Sequence, residues 1–318
     1  MIYHDIAELP PAEEQVVITN ISTKIVTTLA LLSALKYAEM PVLILDCESN
    51  DGSFEYFSKL MKTFKFDLLS APLKEPGTNL DWLFSQVPIQ KVLLLDSDAE
   101  LLNSEIVKLA HEYIDDENTF GFGFIDGPCW WEQHEVVRMF PEQALSEPPR
   151  GYYEERPWLP FTILKTSMIQ EALQAGRSFY MRRLCNDFAP SQLISRMLLR
   201  RYMLKRYLLE RYHVSIFRNS DLSWLNPFKQ SFHGHKPSWI LYDCGADVYE
   251  YLKYQKNYDF VGFPARFHSR YVSHLWGVSR LVVNPSDTPG TPLNKAQDIV
   301  LKRLKEVYGF SPERLISQ

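Results

Sequence analysis

Apolar positions in the first hundred residues switch between two periods. Val16-Val17-Ile18-Thr19 is a short run rich in β-branched residues and predicts a buried strand. From Thr23 to Glu39 the apolar positions Ile25, Leu29, Leu32 and Ala38 follow helix spacing, with Ser22 or Thr23 available as a cap. Pro41-Val42-Leu43-Ile44-Leu45-Asp46 predicts a second strand, and Ser53 to Phe64 returns to helix spacing through Phe54, Phe57, Leu60 and Met61. Phe66 to Leu69 predicts a third strand, Asn79 to Gln86 a short helix and Val92-Leu93-Leu94-Leu95-Asp96 a fourth strand. Strands that are apolar on both faces and alternate with helices predict a parallel sheet covered by helices, a Rossmann-like α/β unit.

Beyond Leu102 the pattern loosens. Phe120 to Asp126 and Leu159 to Lys165 predict strands, separated by a long loop from Gly127 to Pro157. Pro190 to Tyr212 predicts a long helix, Ala246 to Lys253 another and Asn294 to Tyr308 a terminal one, preceded by the flexible connection Asn284 to Pro292. The chain thus divides into residues 1–105, 106–283 and 284–318.

Composition narrows the class. With 46% hydrophobic and 23% charged residues, the 318-residue chain is not a disordered one. A net charge of −5 argues against a general nucleic-acid binder. Cys47, Cys129, Cys185 and Cys244 form no C-x-x-C pair, so they read as scattered reduced thiols. The acidic start MIYHDIAELPPAEE has no apolar core of a signal peptide, and no stretch nears the ~20 apolar residues of a membrane span. These features predict a cytoplasmic protein. Aromatic residues make up 14%, which suits either flat ligands such as sugars and bases or an aromatic core.

No G-x-G-x-x-G follows the first strand and no G-x-x-x-x-G-K-[ST] occurs, against a classical dehydrogenase and a P-loop enzyme. The chemistry is carried instead by acids. Asp96-Ser97-Asp98 closes an apolar strand, at the sheet edge where open α/β folds bind ligands. Two carboxylates one residue apart there can turn towards one hard divalent cation; a solvated turn is the alternative. Asp46 closes another strand, and Ser49, Asn50 and Asp51 behind it offer hydrogen bonds to a base or ribose. Asp51 or Ser53 can equally cap the helix that follows.

The opening strand, D-x-x-S-x-D-G-S from Asp46, Asn79 at a short helix and LLLDSD together resemble the nucleotide-sugar domain of GT-A fold glycosyltransferases, inverting family 2 above all. The resemblance covers residues 14–105 best. It implies a GT-A domain with a mostly parallel sheet, whose first part (1–105) binds the nucleotide sugar. Residues 106–283, helical and irregular, would bind the acceptor and supply catalysis. It places Thr19, Asn20, Asp46, Asp51 and Asn79 around the donor, and Asp96 and Asp98 on Mn²⁺ or Mg²⁺ at its diphosphate. Cys47 stands where many members carry a second acid. Cys185-Asn186-Asp187, before a helix with Leu193 and Arg196, resembles the family's E-D motif, which implies Asp187 as catalytic base. Val272 to Ser279 resembles the H-x-x-G-x-S segment, which implies His274 as a further metal ligand, with His268 a weaker substitute. A helix cap for Asp187 and a core position for His274 are the plainer alternatives.

Arg196, Arg200, Arg201, Lys205 and Arg206 share one face of the long helix at 196–212. Such a helix can rest on an anionic membrane surface or simply face water. The reading is a metal-dependent glycosyltransferase using a UDP-sugar or similar donor and acting on a saccharide or lipid-linked acceptor, in the cytoplasm; peripheral contact at the inner membrane face through 196–212 and a plain solvated helix there both stay open. A retaining transferase, a nucleotidyltransferase and a non-catalytic sugar-nucleotide-binding scaffold are the competing classes.

Overall fold

The computed structural model describes residues 1–72, 76–126, 156–180, 244–275 and 292–312. It is an α/β fold around an eight-stranded sheet in the order β1-β4-β3-β2-β5-β8-β7-β9. The strands are β1 (Ile2–Tyr3), β2 (Ala12–Asn20), β3 (Val42–Cys47), β4 (Asp67–Ala71), β5 (Ile89–Asp96), β7 (Thr119–Asp126), β8 (Arg156–Lys165) and β9 (Asp259–Pro264). All neighbours pair in parallel except at β8, which runs antiparallel to both β5 and β7. The sheet is thus mostly parallel, as expected, and it runs without a break from the first third of the chain into the later one. A second, two-stranded sheet joins β6 (Ala99–Leu101) to β10 (Val272–His274).

Alternation along the strands builds two cores. Val16, Ile18, Ile44, Leu93 and Leu95 point to one face, while Val17, Leu43, Leu45, Val92 and Leu94 point to the other. Helices α3 (Pro76–Gln86), α5 (Thr166–Gln174) and α6 (Ala246–Glu250) cover the second face through Leu83, Phe84, Ile169, Ala172 and Val248. Helices α1 (Lys24–Tyr37), α2 (Ser53–Leu60) and α4 (Glu105–Ile114) cover the first.

Helix α1 is buried at every position from Val26 to Ala34. A helix that is apolar all round needs a partner on each side. The sheet takes Ala30, Leu31 and Ala34. The terminal helix α7 (Pro292–Tyr308) takes Val26, Leu29 and Leu32 with Val300 and Leu304. Burying a leucine-sized side chain contributes roughly 1.5–3 kcal/mol, so this contact anchors α7 firmly.

Among the described residues, much of the aromatic content is core. Phe122, Phe124, Trp158, Phe161 and Phe263 pack around the β7–β8–β9 side, largely edge to face. The helix expected at Ala246–Lys253 is α-helical only to Glu250 and continues as a π turn over Tyr251–Gln255. Helix α3 begins at Pro76, ahead of the expected start at Asn79, so Asn79 lies inside it. Among the described residues no helix is long and apolar enough to cross a membrane.

Candidate metal centre and donor cleft

The acids expected from the sequence collect at the carboxyl edge of β2, β3 and β5. The register sets their spacing: Asn20 faces Asp46 across β2 and β3, and Thr19 faces Asp96 across β2 and β5. Asp46 and Asp96 thus flank the end of one strand, about 10 Å apart by strand spacing.

On the β5 side, Asp96 ends the strand, and Asp98 follows in a turn that leads into β6. Strand β6 pairs antiparallel with β10, so that Ala99 faces His274. The amide of Leu275, next to His274, donates to the carbonyl of Asp98 at 2.9 Å, which fixes the two segments relative to each other. His274 Nε2 lies 3.1 Å from Asp98 Oδ1. One ligand atom each from Asp96, Asp98 and His274 lies within 4.8 Å of the others, close enough to hold one ion. Two carboxylate oxygens and an imidazole nitrogen suit a divalent cation. The side chains are shielded, Asp98 at 3% exposure and His274 at 10%, so their interactions with a cation would be only weakly screened.

Trp158 supports this site from beneath. Its ring meets His274 edge-on at 5.3 Å and stacks on His268 at 4.5 Å. Burial lowers the pKa of His268, so its ring favours the neutral form; its Nδ1 is bonded to the Val272 carbonyl at 2.9 Å. The structure brings His274, not His268, to the two aspartates.

On the β3 side, a closed polar cluster holds Asp46. Asn20 is fully buried. Its Nδ2 donates to Asp46 Oδ1 at 2.6 Å and to Ser49 Oγ at 3.0 Å. Its Oδ1 accepts from Thr23 at 3.1 Å and Thr27 at 2.7 Å. Both amide protons and both lone pairs are therefore engaged within the cluster. Ser49 Oγ adds a bond to Asp46 at 2.7 Å. Burial raises the pKa of Asp46, and the bonds from Ser49 and Asn20 only partly offset it.

The two loops of this edge are tied together and strained. Ser22 and Glu48 both adopt left-handed φ, at 52° and 45°. Each such non-glycine residue costs of order 1–3 kcal/mol, and the cost is borne where surrounding bonds over-determine it. Here the Ser22 amide donates to Ser49 Oγ at 2.8 Å, and the Ser22 hydroxyl donates to Asn50 Oδ1 at 3.0 Å.

Asp51 caps α2: its Oδ1 accepts from the Ser53 amide at 3.0 Å and from the Ser53 hydroxyl. Gly52 sits between them at φ 77°, a conformation that glycine adopts without strain. Asn79 Nδ2 contacts Cys47 Sγ at 3.1 Å, and Asn79 Oδ1 is buried without a partner among the described residues. The Cys47 thiol is pushed up to about 12, by burial first and then by Asp46 and Glu48, and so stays neutral. It therefore supplies no second negative charge beside Asp46.

Asp187 and the basic helix expected at 196–212 lie outside the described residues. Three residues that belong to this region escaped the sequence reading: Trp158, Glu100 and Arg303. Trp158 reads as one more core aromatic. Glu100 and Arg303 meet only through tertiary structure, 203 residues apart.

No family profile matches the chain, and no curated protein does. Among solved structures it is similar to a mannosyltransferase, PcManGT, from Pyrobaculum calidifontis in complex with GDP-Man and Mn²⁺ (12% identity, 52% of this chain and 47% of that one, TM-score 0.37). It is also similar to S. aureus TarS residues 1–349 in complex with UDP-GlcNAc (19% identity, 50% and 47%, TM-score 0.33). A third is mouse xyloside xylosyltransferase 1 (15% identity, 52% and 71%, TM-score 0.33). The chain spans about half the length of the first two.

Proposed function

We propose that this chain is a metal-dependent glycosyltransferase. In this reading it moves a sugar from a nucleoside-diphosphate sugar, a UDP-sugar first, to a hydroxyl of a saccharide or lipid-linked acceptor, with inversion. The observation that carries it is the meeting of Asp96, Asp98 and His274 at the carboxyl edge of the sheet, one strand away from the buried carboxylate of Asp46. A span of about 10 Å between the two sites is one that a nucleoside can bridge.

The residues divide the work. Asp46, aimed by Asn20 and Ser49, accepts a hydrogen bond from the nucleoside, with Thr19, Asp51 and Asn79 framing the same cleft. The unpartnered Asn79 Oδ1 supports this, since a buried acceptor normally has a donor. Asp96, Asp98 and His274 would hold Mn²⁺ or Mg²⁺, with the imidazole favouring Mn²⁺. Such an ion stabilises the charge that builds on a departing diphosphate. Asp187 takes the proton from the acceptor hydroxyl as it attacks the anomeric carbon. The basic face at 196–212 suits a lipid-linked acceptor at an anionic membrane surface.

Calorimetric titration of metal-free protein with Mn²⁺, and then with UDP, tests this reading. Tighter UDP binding in the presence of Mn²⁺ is expected, together with Mn²⁺-dependent release of UDP from a UDP-sugar. UDP binding and sugar transfer that persist unchanged in a chelator would overturn the metal's role.

A further inference from the structure

The terminal helix α7 reaches the strand pair that carries His274 and is entered directly from Asp98, two of the three proposed metal ligands. Along β6 and β10, Ala99, Leu101 and Val272 face the main core, whereas Glu100, opposite Ser273, meets α7. Glu100 is buried at 3% exposure, one residue beyond Ala99 and two beyond Asp98. Its carboxylate is held from α7 by three bonds. Arg303 Nη2 donates to Oε1 at 2.7 Å and Arg303 Nε to Oε2 at 3.0 Å, a forked pair, and the Tyr308 hydroxyl donates to Oε1 at 2.9 Å.

The partner strand is held by the same helix. Leu275 follows His274 directly and packs in the cluster formed by Val300, Leu304 and α1. Strand β6 is also fastened to α1, where the Leu101 amide donates to the buried hydroxyl of Ser33 at 3.0 Å. A cavity of about 360 Å³ lies alongside, bordered by Glu100, Ser273, His274 and Arg303. The ladder is only three residues long on each strand, too short to be stable alone. A buried carboxylate without a cation would pull it towards water.

We infer that Arg303 is a positioning residue for the metal centre: by clamping Glu100 it holds the β6–β10 pair in register and thereby sets the distance between Asp98 and His274. The effect on metal affinity rests on the metal-site reading proposed above; the mechanical part, a clamp on the strand pair, does not.

Two measurements on the full chain separate these parts. Mn²⁺ alone is titrated against wild type, Arg303→Met and Arg303→Lys, and amide hydrogen exchange is followed at Leu275, whose N–H bonds to the Asp98 carbonyl. Loss of a partner bonded directly to a ligand typically lowers metal affinity 10–100-fold; Arg303 acts one step further out, through Glu100, so a fall of about 10-fold, the low end of that range, is expected for Arg303→Met. Faster exchange at Leu275 should accompany it. Arg303→Lys keeps the charge without the fork and should recover part of both. If Arg303→Met fails to fold, Tyr308→Phe removes one bond to the same oxygen and should weaken Mn²⁺ roughly 2–10-fold. Wild-type Mn²⁺ affinity and wild-type Leu275 exchange in the variants would overturn the clamp. Faster exchange in a protein whose wild type takes no Mn²⁺ would support the clamp and sink the metal-site reading instead.

Discussion

The two sides of this sheet edge are built on opposite plans. The β3 side is local: Asn20, Thr23, Thr27, Asp46 and Ser49 come from two consecutive strand–helix units, and their hydrogen bonds close on one another. The β5 side is assembled from distant chain: Asp96 and Asp98 meet His274 only after β10 has paired with β6, and that pair leans on α7. A local cluster is set by the fold of its own units. A distant one depends on everything that holds its last member in place. The first should therefore tolerate damage elsewhere, and the second should not.

The sharpest break between them is Asp98→Ala. On the proposed reading, removing one of the three candidate ligands should abolish turnover with Mn²⁺, by about 10³-fold or more given the several kcal/mol a metal contributes to such a transition state. Nucleoside binding measured without metal should remain. If free UDP binding falls equally, the two sides are not separate.

Asp187→Asn examines a third component, the proposed proton acceptor. Turnover should fall ~10²–10⁴-fold while donor and Mn²⁺ affinities stay near wild type. Normal turnover would leave Asp187 as a helix cap.

Asp46→Asn strikes the local side. Loss of a charged hydrogen bond should weaken UDP binding by roughly 1.5–3 kcal/mol, with Mn²⁺ affinity unchanged. Stability should move the other way. Burial raises the pKa of Asp46 above its ordinary 3.8. The folded state therefore holds this proton more tightly than the unfolded one. The stability linked to it is present below pH ~3.8 and is lost as pH rises through the raised value. The variant should accordingly melt higher than wild type at pH 7, and the gap should close as pH falls towards 4. A variant that melts lower at pH 7 would show that the bonds from Asn20 and Ser49 outweigh burial.

The smallest expected effect on function comes from Asn20→Ala. It should cost about 1–3 kcal/mol in stability, because it leaves Asp46, Thr23 and Thr27 without their shared partner. UDP binding should weaken less than in Asp46→Asn, since the carboxylate itself remains. An equal loss would place Asn20 on the ligand.

What the sequence made legible follows the same division. LILDC and LLLDSD announce buried strands ending in acids, because a parallel strand is apolar on both faces and its loop carries the polar residues. The pairing of Asp96 with Asp98 is visible in a three-residue stretch. His274 became a candidate only through resemblance, because a histidine in VSHLW carries no signal of what lies across the ladder. Antiparallel β8 was hidden too, since LPFTILK reads the same in either direction of pairing. The two-residue β1 is too short to show a period. Full occupation of the Asn20 amide depended on the Thr23 and Thr27 hydroxyls turning inward, which helix spacing alone does not reveal.

The forked bond between Arg303 and Glu100 also puts a clock on biosynthesis. Arg303 follows Glu100 by 203 residues. At ~5–20 residues per second on the ribosome, Glu100 waits roughly 10–40 s for its cation to be made. Over that interval the strands of the local side can already form while the β6–β10 pair has no clamp. On the ribosome the Asn20–Asp46 cluster would thus be in place before the arrangement of Asp98 with His274, which waits for α7.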